Sequence, residues 1–273
     1  MVAGSRPAIA CIVLWLLTWI SGGVTSRQAI AGRVRLRLMG VGVCTGAQIF
    51  LLYQSVERIS APLAVLLLYS YPALVALLSV VFLHERLRPV RVAAIAISLA
   101  GAVLIVGLPA GRATPAGCLY GLGAGLCLAI YIILVSRVAR GIRPAAATAW
   151  VQLGAAIIFV PGLISVARVR PAPAAAGWLL LVGFSAAVAT ALFLTGVQRL
   201  SPTTASIAAT VEPVSTAMLG AVLLGLTLTG WQLAGGLLIV AALAVTALDG
   251  SRNPGAAAVT AGPVTTGGAP PCP

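Results

Sequence analysis

The chain nearly repeats itself at an offset of 141 residues. Residues 56–60 (VERIS) align with residues 197–201 (VQRLS), and without a gap Pro72 then falls on Pro213. The duplicated stretches are almost wholly apolar, and each carries its proline inside its longest apolar run. Duplicated apolar halves with matching proline-interrupted helices are typical of membrane carriers that bind a substrate between the halves. The repeat therefore predicts two related helical bundles with a site where they meet.

The composition requires a lipid environment. Of the 273 residues, 60% are hydrophobic and only 8% are charged, whereas a soluble domain carries about 25% charged residues. In lipid every backbone polar group must be paired inside the protein, so long apolar runs without strand-like alternation predict helices rather than a barrel. The net charge of +13 comes from arginines in the gaps between these runs, where they favour a role in membrane orientation over nucleic-acid binding.

Nine apolar segments are long enough to cross a bilayer, which takes about 17–25 residues. They run approximately over residues 8–24, 38–55, 62–83, 92–108, 116–135, 146–166, 177–196, 204–225 and 230–248. Counted on alternate sides of the membrane, five arginines lie on the side of the N-terminus and twelve on the other. Because positive residues stay cytoplasmic, we expect a multi-pass protein of the inner membrane with a cytoplasmic C-terminus.

The repeat also predicts how the segments are organised. Segments six to nine map onto segments one to four, whereas the partner of the fifth would lie upstream of Met1. We therefore expect an all-α polytopic membrane fold of ten helices in two five-helix repeats, of which this chain carries nine, the first being absent through a misplaced start codon or a truncation. Because five is odd, consecutive repeats enter the membrane from opposite sides and are inverted. Residues 1–110 would form the first repeat and 111–249 the second, and residues 250–273, rich in Gly, Pro, Ala and Thr, a disordered tail.

Glu212 is the main candidate for chemistry. Of the four acidic residues it alone lies well inside an apolar segment, near the expected middle of the bilayer. A charge at that depth costs roughly 2.5–3.5 kcal/mol, so the position favours binding of a substrate amine or carriage of a proton. A protonated glutamate that hydrogen-bonds between helices is the structural alternative. The equivalent position in the first half is Tyr71, which would supply an aromatic wall and a hydroxyl.

Other polar features of the apolar runs are weaker signals. Pro72 and Pro213 each remove the hydrogen bond to the carbonyl four residues upstream, which would allow a hinge, a ligand contact or a plain kink. Gln48 and Tyr131 are candidate substrate- or proton-binding residues. Glu85 lies in a turn between segments, where we expect a local ion pair or a solvated end.

The sequence contains no motif of a metal or cofactor enzyme. It has one histidine, no CxxC pair among its five cysteines, and no P-loop or dinucleotide fingerprint. We expect no catalytic residues, no metal and no cofactor. The expected partners are a small-molecule substrate and the lipid bilayer, with no nucleic acid, and a homodimer remains open.

Several short motifs together resemble the EamA-type transporters of the drug/metabolite transporter (DMT) superfamily. They are residues 53–60 (YQSVERIS), 71–72 (YP) and 83–87 (LHERL) in the first half, and 195–202 (TGVQRLSP), 212–214 (EPV) and 235–236 (GG) in the second. The resemblance covers about residues 8–248. It implies a ten-helix inverted-repeat carrier that exports small organic metabolites such as amino acids or drugs by alternating access, in some members coupled to protons.

Two interpretations from other classes stay open at this point. A polytopic membrane enzyme would have to use the cluster of His84, Glu85, Arg86 and Arg88. A truncated relative of a carrier could also serve as a scaffold that transports nothing.

Overall fold

The computed structural model describes residues 31–85, 87–107, 114–159, 173–225 and 227–252. Within these ranges the chain forms ten α-helices and no strand. The helices are α1 Gly32–Val56, α2 Ala61–Leu68, α3 Tyr71–Leu83, α4 Pro89–Val106, α5 Pro115–Val138, α6 Pro144–Ile158, α7 Pro173–Arg199, α8 Pro202–Ala209, α9 Glu212–Leu224 and α10 Gly230–Arg252.

Six stretches of the described chain are long and apolar enough to cross a membrane. They are Gly32–Val56, Ala61–Leu83, Pro89–Val106, Pro115–Val138, Pro202–Leu223 and Gly230–Asp249. Each coincides with one of the nine predicted segments. The sixth predicted segment begins as the shorter apolar helix α6 and the seventh coincides with α7. The first, 8–24, and the tail beyond residue 252 lie outside the described residues. The prediction of a multi-pass helical membrane protein is confirmed.

The internal repeat extends to the helix boundaries. The first residues of matching helices are Gly32 and Pro173, Ala61 and Pro202, Tyr71 and Glu212, and Pro89 and Gly230. Each pair is separated by the offset of 141 residues found in the sequence. The turns that follow α3 and α9 also match, because His84 and Gly225 occupy the left-handed region at φ values of 55° and 65°.

The two predicted interruptions are present as short breaks between paired helices. Proline has no N–H, so Pro72 and Pro213 leave the carbonyls four residues upstream without their helical donors. Both breaks tighten in the same way: Ser70 N donates to Leu67 O at 3.2 Å, and Val211 N donates to the carbonyl of residue 208 at 3.3 Å. At each break this backbone hydrogen bond spans three residues instead of the four of an α-helix, as in a short 3₁₀ turn. The turn connects α2 to α3 and α8 to α9.

Glycines set the closest contacts between helices. A Cβ on Gly42 of α1 would overlap the carbonyl oxygen of Val151 in α6, so no side chain fits at this position. Between α4 and α10, a Cβ on Gly101 would lie 2.7 Å from Gly235 O, and one on Gly235 would lie 2.6 Å from Gly101 O. Small residues allow such backbone approach in membrane helices, so these contacts fix the frame around the breaks.

The main core lies beside both breaks. Val75 of α3, Ile132 of α5 and Leu194 of α7 are fully buried in it. Tyr71 and Tyr131 belong to the same cluster and are each 3% exposed. Two of the tyrosines that the sequence singled out are therefore held by packing next to the point where the helices are interrupted.

Candidate functional site

A cavity of about 360 Å³ lies at the two helix breaks. We call it the Glu212 cavity. It brings together residues from α1, α2, α3, α5, α7, α8, α9 and the first break, namely Thr45, Leu68, Tyr69, Tyr71, Leu128, Tyr131, Ile132, Ala189, Thr190, Phe193, Ala209 and Glu212. Both halves of the repeat thus contribute to one wall, and the wall is mostly apolar with a few polar side chains, as is typical of small-molecule sites.

Glu212 is the first residue of α9 and lines this cavity. Its side chain is exposed, and it lies near the middle of Pro202–Leu223, one of the stretches able to cross a membrane, so its mid-bilayer position stays a prediction. Pro213 interrupts the helix, so Glu212 stands at a helix start. A carboxylate in the first turn is also stabilised by the partial positive charge of the helix N-terminus.

Aromatic side chains surround the break in the first half. The hydroxyl of Tyr71 donates to the backbone carbonyl of Ser206 at 3.2 Å, which ties α3 to α8. The ring centroids of Tyr69 and Tyr71 are 6.4 Å apart. On the facing wall, Tyr131 stacks on Phe193 with centroids 6.3 Å apart and an interplanar angle of 22°. Rings at these separations attract one another, so each pair stabilises the position of its rings in the wall.

Two hydroxyls of the wall have no partner. The oxygens of Thr45 and Tyr131 are buried and make no hydrogen bond in the described structure. By contrast, Thr190 donates to the carbonyl of Ala186 at 2.7 Å, and the hydroxyl of Tyr71 is also used. Most buried polar atoms are paired, so two buried hydroxyls without a hydrogen-bond partner in one cavity wall are unusual.

The structure brings together most, but not all, of the predicted site residues. Tyr71, Tyr131 and Glu212 line one cavity. Gln48 is half-buried on α1 and is not among the described residues that line it. Pro213 instead lines an adjoining cavity of about 500 Å³.

Sequence reasoning missed the other nine lining residues, of which the polar and aromatic ones are Thr45, Tyr69, Thr190 and Phe193. Thr45 and Phe193 carry no local signal among neighbours of similar character. Tyr69 could have been found, because it lies two residues from Tyr71 at the proline break. It also lines the adjoining cavity, and so stands between the two.

That second cavity is lined by α2, α4, α9 and α10, with Val65, Val106 and Gln232 among its wall residues. Tyr69 is the lining residue that the two cavities share.

A separate cluster of charges joins the two halves away from the cavities. Arg91 Nη1 lies 2.6 Å from Glu85 Oε1, and the hydroxyl of Thr203 donates to Glu85 Oε2 at 3.0 Å. Asp249 pairs with Arg88, and its Oδ2 lies 3.7 Å from Arg91 Nε. We call these five residues the Arg91 cluster.

The cluster refines the expectation for Glu85. Of the two expected roles, the ion pair is present, with Arg91 six positions along the chain, whereas the solvated end is wrong: Glu85 is buried at 9% exposure, as are Arg91 and Asp249 at 8% each. Its partners lie in α4 and α8, so it bridges the repeat. The enzyme interpretation loses support because Glu85 and Arg88 are already engaged in structural ion pairs. Within the described residues there is no group of His, Cys, Asp and Glu that could hold a metal ion.

These features define the class of the protein: a multi-pass helical membrane protein with two interrupted helices, related by an internal repeat, around a cavity. The model of the EamA-like transporter family matches residues 1–107 and 115–248, and the chain belongs to this family.

Individual relatives and a solved structure agree with this assignment. The threonine/homoserine exporter RhtA of Escherichia coli (strain K12) is 34% identical over 137 residues, which are 50% of this chain and 44% of that protein. RhtA of Salmonella typhimurium (strain LT2) is 30% identical over 204 residues, 72% of this chain and 65% of that protein. The chain thus spans less than two thirds of the length of these curated relatives. A crystal structure of another protein shares the fold, with a TM-score of 0.76 at 22% identity over 92% of this chain and 87% of the other.

Proposed function

We propose that the protein is an inner-membrane exporter of small organic metabolites, such as amino acids or drugs, that works by alternating access. The observation that carries the proposal is the position of Glu212 and Tyr71. These residues are equivalent in the repeat, each begins the helix that follows a proline break, and both line one cavity. The RhtA relatives are threonine/homoserine exporters by name, which supports export of small amine-bearing solutes.

In the proposed mechanism the halves form inverted five-helix bundles that rock about the cavity. Pro72 and Pro213 serve as hinges, because the hydrogen bonds missing at the breaks lower the resistance of these helices to bending. The cavity would then open to one side of the membrane at a time. The excess of arginines on one side supports a cytoplasmic C-terminus.

Glu212 has two candidate roles in transport. As a carboxylate it would bind the ammonium group of the substrate by a charge-assisted hydrogen bond. As a titrating acid it would carry a proton and couple transport to a pH gradient. Tyr71 and Tyr131 would pack the apolar part of the substrate, because their rings are fixed and face the same space.

The test is flux into and out of proteoliposomes containing the purified chain, measured with and without an imposed pH gradient. Glu212→Gln keeps size and hydrogen bonding but removes the charge, so we expect loss of pH-driven transport if the residue carries the proton, and weaker substrate binding if it holds the amine. Glu57→Gln is the matched control, because the Glu57 side chain is 67% exposed in a loop. Unchanged flux, affinity and pH dependence in Glu212→Gln would contradict both roles.

The inverted arrangement has its own test. Single cysteines introduced at residues 56–60 and 197–201, which align in the repeat, should react with a membrane-impermeant thiol reagent from opposite faces of the bilayer. Reaction from the same face would exclude inverted halves and the alternating-access mechanism built on them.

A further inference from the structure

We propose that the hydroxyls of Thr45 and Tyr131 form a neutral subsite that binds the carboxylate of an α-amino acid, whose ammonium group is bound by Glu212. This inference rests on the proposed function, because it names the substrate class of the same cavity. It assigns a role to Thr45, a residue with no other evident function, and gives Tyr131 a polar role besides packing.

The first observation is that both hydroxyl oxygens are buried and unpaired while both residues line the Glu212 cavity. Tyr131 is only 3% exposed, and its ring is held against Phe193. It therefore cannot swing to water to satisfy its hydroxyl. Leaving a buried hydroxyl without a partner is unfavourable, so both oxygens are suited to a ligand that supplies the missing hydrogen bonds.

The second observation is that some hydroxyls of the wall are already hydrogen-bonded within the protein and others are not. Those of Tyr71 and Thr190 donate to backbone carbonyls. Those of Thr45 and Tyr131 do not. The unused pair comes from α1 and α5, which pack directly on each other and are not interrupted. The subsite thus lies on a continuous part of the frame, whereas Glu212 lies at a break and would move with it.

The charges of the residues that line the cavity indicate which group of the ligand the two hydroxyls bind. A carboxylate has only acceptor oxygens, and a hydroxyl that donates to an ionised acceptor makes a stronger hydrogen bond than one that donates to a neutral group. Among the described residues that line the cavity there is one acid and no basic side chain. Neutral donors are therefore the groups available to hold an anion, while the acid holds the cation. The leucine, isoleucine and alanine positions of the wall are left for the substrate's side chain.

The test is equilibrium binding to the purified full chain in detergent micelles, with matched pairs of probes. L-threonine and L-phenylalanine are compared with their decarboxylated amines, 1-amino-2-propanol and 2-phenylethylamine. Thr45→Val and Tyr131→Phe should weaken amino-acid binding by about tenfold, the loss of one hydrogen bond to a charged group, and leave amine binding unchanged. Ser79→Ala is the control, because its hydroxyl is equally buried and unpaired but lies outside the cavity.

A second readout guards against misfolding. Without ligand the two hydroxyls have no partner, so Thr45→Val and Tyr131→Phe should unfold at the same temperature as the unchanged protein or higher. Lower unfolding temperatures would show that the hydroxyls are already paired and would overturn the subsite.

The outcomes separate the subsite from the function on which it rests. If Glu212→Gln weakens binding of acids and amines alike while the two hydroxyl variants bind both as the unchanged protein does, the subsite is wrong and the amine role of Glu212 stands. If the unchanged protein binds neither amino acid, the subsite and the amino-acid part of the proposed function both fail.

Discussion

Loss of the Glu85 carboxylate should destabilise the protein far more than loss of an exposed acid. In Glu85→Ala the guanidinium of Arg91, whose side chain is 10% exposed, loses the partner at 2.6 Å. The hydroxyl of Thr203 loses its acceptor at 3.0 Å. Removing one member of a buried ion pair costs about 3–5 kcal/mol, because the remaining charge stays in a poorly solvated place.

The geometry sets the expected value at the lower end of that range. Asp249 remains near Arg91, but its oxygen lies 3.7 Å from Nε, and Asp249 is already paired with Arg88. It can therefore compensate only in part. We expect Glu85→Ala to lower the free energy of unfolding by about 3 kcal/mol, whereas Glu57→Ala, at an exposed loop position, should change it by less than about 0.5 kcal/mol.

The measurement is unfolding in mixed micelles of increasing denaturing detergent, followed by tryptophan fluorescence. The double variant Glu85→Leu with Arg91→Met isolates the cause, because it removes both charges and keeps apolar volume. It should recover stability to within about 1 kcal/mol of the unchanged protein. The reasoning is refuted if Glu85→Ala costs less than about 1 kcal/mol, or if the double variant is as unstable as the single one.

Two further predictions concern the frame and the breaks. Gly42→Ala should destabilise the protein by about 1–3 kcal/mol through overpacking, because its Cβ would overlap the carbonyl oxygen of Val151. Gly40→Ala on the same helix is the control, because nothing lies within 4 Å of its Cβ, and it should be neutral or stabilising in the same unfolding assay. Pro213→Ala restores an N–H at the second break, so hydrogen exchange at amide 213 should be slow and the transport rate should fall because the hinge is lost. Fast exchange at that amide would show that the break does not depend on the missing donor.

The parts of the fold that the sequence could predict are those fixed by local chemistry. Pro72 and Pro213 lack a donor wherever they stand, so the interruptions and their equivalence followed from the residues alone. The helices followed from the lengths of apolar runs in lipid. The cavity beside Glu212 did not, because hydropathy places a residue along a segment but does not give the packing of distant helices that leaves a space next to it.

The Arg91 cluster could not be predicted for a different reason. Glu85 and Thr203 are 118 positions apart in the chain, and each alone resembles an ordinary polar residue near a helix end. The internal repeat gives no help, because the second half has leucine at position 226, where the first has Glu85, and no charge to take up its role. Only the packing of α4 against α8 and α10 brings the members together.

That difference between the halves bears on which end of the protein opens. Positions 88 and 91 are arginines that close one end through Asp249, whereas their equivalents by the offset of 141 are Thr229 and Gln232. The latter two hydrogen-bond to each other across the start of α10, with Thr229 N donating to Gln232 Oε1 at 2.9 Å, and Gln232 borders the second cavity. Repeated helices thus end in a bridge of ion pairs on one side and in an open, uncharged cavity on the other. If the halves are inverted and work by alternating access as we propose, these ends face opposite sides of the membrane, and opening the end held by the Arg91 cluster would require its ion pairs to break.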